Sequence, residues 1–216
     1  MNRSREVTIQ AGGTATVGDL VVPDAPRGLV LFAHGSGSSR HSPRNRQVAQ
    51  ALDRRSLATL LLDLLTEAEE RDRTNVFDIE LLAARLIAAT RWAQAAAELP
   101  IGYFGASTGA AAALSAAAEL GPRIGAVVSR GGRPDLAGER LPAVTAPTLL
   151  IVGGRDEVVL ELNRKAEELL GAYSELAVVP GATHLFEEPG ALEQVAALAG
   201  GWFERYLGSG ADHRAE

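Results

Sequence analysis

Ile101-Gly102-Tyr103-Phe104-Gly105-Ala106-Ser107-Thr108-Gly109-Ala110-Ala111 is the stretch on which the reading of the fold turns. Its opening is a short apolar run of the kind found in strands buried on both faces. From Ser107 to Leu120 almost every residue is alanine or similarly small, which predicts a helix with very little bulk. The pentapeptide Gly105–Gly109 therefore falls on a strand-to-helix turn. A serine presented on such a turn has strained backbone and needs small neighbours, because the helix packs close to the strand. The Gly-x-Ser-x-Gly string is weak evidence alone, and a serine before a helix is also an ordinary N-cap. The elements on either side give it weight.

Working outward, Leu29–Ala33, Ala58–Leu62, Gly125–Ser129, Thr148–Val152 and residues 175–179 read as further strands. Helices are predicted after Ser42-Pro43, from about Val76 to Leu99, near 160–170 and near 189–207. Residues 5–10 and 14–22 alternate around Gly12-Gly13 as an antiparallel hairpin, and residues 67–75 read as a charged loop. Strands alternating with helices predict an α/β protein: a mostly parallel, doubly wound sheet behind an N-terminal antiparallel hairpin. Only 18 residues separate the strand ending at Ser129 from that beginning at Thr148, too few for a cap domain. Residues 1–208 read as one domain and 209–216 as a polar tail.

The 216 residues carry 21 basic and 27 acidic side chains, a net charge of −6, which argues against a nucleic-acid partner. Lys165 is the only lysine. With no cysteine, disulfides, thiolate catalysis and thiolate-held metals are excluded. No apolar run is long enough for a membrane span, and the expected location is cytoplasmic. Neither a cofactor nor a metal is expected; a monomer or homodimer fits equally well.

In a parallel sheet, chemistry collects in loops beyond the carboxyl ends of the strands. A nucleophilic serine at 107 needs a base held by an acid. His184 follows the last strand and precedes the last helix, where it can reach back across the sheet; His34, His41 and His213 are placed less well. Asp156, in Gly153-Gly154-Arg155-Asp156-Glu157, follows Ser107 by 49 residues and precedes His184 by 28. Glu157 and Asp135 compete with it. Two backbone N–H groups must face the developing oxyanion. Thr108 supplies one, and Ser36 in His34-Gly35-Ser36-Gly37 the other, with Gly37 as the alternative donor or a substrate contact. Arg40, Arg130, Arg133 and Arg155 are placed around the same rim, where they bind an anionic substrate group or pair with Glu67, Glu69, Glu157 or Glu187.

Two other readings compete with this one. Gly35-Ser36-Gly37 with Asp63 echoes a dinucleotide-binding unit, but the third glycine position holds Arg40, and no phosphate-loop lysine exists. A catalytically inactive binding module on the same fold is opposed by the intact Ser–Asp–His set.

On His34–Ser39, Leu62–Thr66, Gly105–Gly109, Ser129–Asp135, Asp156 and His184, the chain resembles the α/β-hydrolase superfamily. More narrowly, it is similar over about residues 20–207 to the small cap-less dienelactone hydrolases. The resemblance implies an α/β-hydrolase fold and hydrolysis of small carboxylic esters through an acyl-enzyme. Ser107 would be nucleophile, His184 base and Asp156 orienter. Dienelactone hydrolases carry cysteine at the nucleophile and this chain has serine, which favours a general serine esterase over dienelactone as substrate.

Overall fold

The computed structural model describes residues 3–208; the tail expected at 209–216, with His213, lies outside the described residues. Eight strands form one sheet in the order β1-β2-β4-β3-β5-β6-β7-β8. They are β1 Arg3–Ala11, β2 Thr14–Val22, β3 Gly28–Ala33, β4 Leu57–Leu62, β5 Ile101–Ala106, β6 Ile124–Arg130, β7 Thr148–Gly153 and β8 Ser174–Val179. The hairpin β1–β2 is antiparallel and joins β4 antiparallel; β4-β3-β5-β6-β7-β8 are parallel throughout.

The helices are α1 Pro43–Asp53, α2 Glu67–Glu70, α3 Arg73–Val76, α4 Ile79–Ala96, α5 Thr108–Leu120, α6 Glu157–Leu169 and α7 Ala191–Leu207. They cover both faces. Along β3, Leu29, Leu31 and Ala33 point into a layer with α4 and α5, while Val30 and Phe32 meet α1 and α7. All six residues of β3, β4, β5 and β7 are buried, as expected of strands that have lost both faces to helices. This is the α/β-hydrolase fold, without a cap: between β6 and β7 the chain makes only a kinked 3-10 run, Pro134–Ala143.

The segment expected to be a charged loop instead forms α2 and α3. Thr66 and Glu69 make a reciprocal capping box at the start of α2, and the Asp72 side chain accepts from the Thr74 N–H at the start of α3. Short polar helices of this kind are set by caps rather than by apolar periodicity, so a pattern search passes over them. Ser42 caps α1 as expected, accepting from the Asn45 N–H at 3.3 Å.

Candidate active site

The turn at Ser107 is strained: φ is 51° and ψ is −121°, a conformation that side-chain-bearing residues rarely adopt. Its neighbours make it possible. A Cβ on Gly105 would collide with the backbone of Ala110, and one on Gly109 with the carbonyl oxygens of Ala33 and His34. Eleven of the thirteen residues of α5 are buried, so the serine stands on a helix enclosed almost entirely by small side chains. Ser107 itself is half-buried at the carboxyl edge of the sheet.

The segment after β6 wraps the turn. Ser107 N–H donates to the Arg130 carbonyl at 3.3 Å, and Arg133 N–H donates to the Ser107 carbonyl at 3.1 Å. Gly131, with φ of 53°, lies against the His184 ring: a Cβ there would be 3.5 Å from the imidazole. Serine and histidine thus border the same short segment, residues 130–133. Ser107 Oγ makes no hydrogen bond among the described residues.

His184 and Asp156 meet directly, with Nδ1 and Oδ2 2.6 Å apart. A carboxylate only accepts, so Nδ1 carries the hydrogen and Nε2 is left as the acceptor. The Asp156 side chain is 15% exposed and that of His184 39%. The loops carrying the pair are tied together, Arg155 N–H donating to the Ala182 carbonyl and Gly154 N–H to that of Val179, both at 2.9 Å. Glu188, which sequence reasoning missed, accepts from the Thr183 N–H at 3.1 Å, and that bond holds its carboxyl below the ordinary value. The competing acids are placed otherwise. Asp135 is gripped by both arms of Arg133 at 2.9 and 2.7 Å, and Glu157 is an exposed residue in the first turn of α6.

Of the two expected oxyanion donors, the Thr108 N–H sits at the first position of α5 without an acceptor among the described residues. The Ser36 N–H donates to Thr108 Oγ1 at 3.0 Å, stitching the two donor segments together, whereas the exposed Gly37 N–H has no partner among the described residues. His34, at the end of β3, is buried; its Nε2 accepts from the Leu64 N–H at 3.2 Å, so its Nδ1–H donates to the Gly35 carbonyl at 3.0 Å.

The arginines divide. Arg40 is held by Asp63 at 2.5 Å, Glu6 at 3.2 Å and Asp19 at 3.4 Å, and Arg133 by Asp135; both are neutralised by other residues than those expected. Arg155 is exposed. Arg130 differs: 7% exposed, it has no ion pair among the described residues and lies 5.9 Å from the Phe186 ring centre, its Nη2 donating to Asn45 Oδ1 at 3.3 Å. Burial, with the Arg44 guanidinium nearby, pushes it down to about 10.

A dienelactone hydrolase from Anabaena variabilis ATCC 29413 is 54% identical and superposes with a TM-score of 0.92, covering 95% of this chain and 99% of that one. The chain belongs to the dienelactone hydrolase family. Within the wider fold, the family architecture extends to Est1E from Butyrivibrio proteoclasticus, at 16% identity, a TM-score of 0.80 and coverage of 94% and 99%. Among curated proteins, a Mycobacterium tuberculosis protein named "Putative phosphoribosyl transferase" is 63% identical over 208 residues. The match takes 95% of this chain but 47% of that protein, so the chain spans about half the length of the curated relatives it matches. No family model matches the chain.

Proposed function

We propose that this chain is a serine hydrolase that cleaves small carboxylic esters through an acyl-enzyme. The observation that carries the reading is the 2.6 Å contact between His184 Nδ1 and Asp156 Oδ2, beside a serine held at a strained strand-to-helix turn. With Nδ1 committed to Asp156, Nε2 takes the proton of Ser107 Oγ as the hydroxyl adds to the ester carbonyl. The oxyanion is received by the Thr108 N–H and one amide of the Ser36–Gly37 pair; Ser36 serves if its bond to Thr108 Oγ1 yields or is shared. Collapse of the adduct expels the alcohol with the proton from His184, leaving Ser107 acylated. Water, deprotonated by the same Nε2, then releases the acid and restores the serine. Acyl transfer of this kind needs no cofactor or metal, and its partner is a small ester.

Incubation with a p-nitrophenyl phosphonate and mapping of the adduct by mass spectrometry tests the reading. Modification at Ser107, lost in Ser107→Ala together with p-nitrophenyl butyrate hydrolysis, is the expected result. An adduct on another residue, or undiminished hydrolysis by the variant, overturns it.

A further inference from the structure

A cavity of about 120 Å³ opens beside the nucleophile turn, with Ser36 and Thr108 on one wall and Leu65, Val76 and Leu82 on the other. His34 also lines it, its ring committed to the Leu64 N–H and the Gly35 carbonyl, and at its edge lies Glu70, the exposed last residue of α2. The same Leu65 and Glu70 also border an outer cleft of about 420 Å³, so Glu70 stands where the two spaces meet. Its carboxylate has no hydrogen bond or ion pair among the described residues.

Glu70 is fixed there from below. The Thr66–Glu69 capping box sets α2, Arg85 from α4 reaches Glu69 Oε1 at 2.6 Å, and Asn75 Nδ2 donates to the Glu69 carbonyl at 3.0 Å. In the outer cleft His41 accepts from Arg46 Nη2 at 2.8 Å through Nδ1, which leaves its ring neutral in this contact. The cleft's one arginine, Arg40, is claimed by Asp63, Asp19 and Glu6, while Glu67 on the same wall adds another carboxylate. Negative charge at the edge of a small cavity repels anions and attracts cations, and the field is that of a solvated carboxylate because Glu70 is exposed.

We infer that Glu70 is a specificity-determining residue, and that the cavity selects esters carrying an ammonium group a few bonds from the carbonyl. This rests on the esterase reading and names the substrate class of that same site. It differs from the anionic preference that the rim arginines suggested, two of which, Arg40 and Arg133, already have carboxylate partners.

The test compares isosteric pairs in which a quaternary ammonium replaces a tert-butyl group. Butyrylcholine is set against 3,3-dimethylbutyl butyrate for the alcohol side. The p-nitrophenyl ester of 4-trimethylammoniobutyrate is set against that of 5,5-dimethylhexanoate for the acyl side. In at least one pair the cation-to-neutral ratio of kcat/KM should fall about fivefold in Glu70→Gln, the scale of a partly solvated ion pair. The wild-type ratio should also shrink in 0.5 M salt. Ratios identical in wild type and Glu70→Gln for both pairs overturn the inference and leave the esterase reading standing. If neither protein cleaves any ester, the esterase reading fails and binding still decides this one. Choline and 3,3-dimethylbutanol are then titrated by ligand-observed NMR, and selective weakening of choline by Glu70→Gln supports the inference, whereas equal weakening or none refutes it.

Discussion

Replacing Asp156 by asparagine separates orientation from everything else the residue does. Asp156 is the N-cap residue of α6, yet its side chain makes no capping bond, because Oδ2 is committed to His184. The substitution therefore leaves the helix start as it is, and the melting temperature should move little. The chemistry should suffer twice. First, with charge centres about 4 Å apart, the carboxylate stabilises the imidazolium formed during acylation by roughly 4 kcal/mol at an effective dielectric of 20. The His184 side chain is 39% exposed, so screening reduces this to about 3 kcal/mol, which corresponds to more than a hundredfold in rate. Second, an asparagine amide can donate to Nδ1, turning the ring so that Nε2 carries the hydrogen and cannot accept from Ser107. Together these give an expected loss of about 10³-fold in kcat/KM for p-nitrophenyl butyrate, with phosphonylation of Ser107 slowed in parallel. Asp135→Asn, which removes only a partner of Arg133, should stay within a few-fold of wild type. A loss below tenfold for Asp156→Asn, or a larger one for Asp135→Asn, would refute the reasoning.

Gly109→Ala should destabilise the fold by more than about 2 kcal/mol, because the added methyl meets the carbonyls of Ala33 and His34; an unchanged urea midpoint would contradict this. Asp53 is half-buried, and burial pushes its carboxyl from 3.8 up to about 6 while Thr59 Oγ1 donates to it at 2.9 Å. Between those values the folded state holds the proton more tightly than the unfolded chain, so wild-type stability should fall as pH rises through that window. The full shift is worth roughly 3 kcal/mol, of which about half survives solvent screening. Asp53→Asn should therefore gain about 1.5 kcal/mol over wild type on going from pH 4 to pH 7, and a gap independent of pH excludes the mechanism. A cavity of about 120 Å³ holds only a short chain, so butyrate esters should outrun laurate esters in kcat/KM; the opposite order would show another binding surface.

The elements that carry the site were legible because their signals are local. Buried parallel strands leave continuous apolar runs such as Leu29–Ala33, and the close approach of α5 to β3 leaves glycine at 109. Chain order already favoured Asp156 over Glu157 and Asp135, and the fold adds that Asp156 meets His184 while Arg133 occupies Asp135. Partners distant in sequence were illegible. Arg40 was expected to meet substrate or a nearby glutamate, and instead takes Glu6 from β1, Asp19 from β2 and Asp63 just past β4. Glu188 and Glu70 left no pattern because one makes a single backbone contact and the other borders a cavity, and in Glu187-Glu188 and Glu67-Ala68-Glu69-Glu70 neither stands out from its acidic neighbours.

The small side chains that α5 presents to its neighbours set how finely Ser107 is positioned. A helix seated on long side chains inherits their rotamer freedom, and its height above a sheet can drift as they repack. Here Ala110, Ala111, Ala112, Ala113, Ala116 and Ala117 have no rotamers of their own to exchange, and at Gly105 and Gly109 backbone meets backbone. The Ser107 hydroxyl consequently rides largely on covalent geometry, with little side-chain entropy lost on folding. The same rigidity leaves the helix few ways to change. Enlarging any of those six side chains would lift the turn that carries the serine, so its sequence can wander only among glycine, alanine and serine while the charged outer surface varies freely.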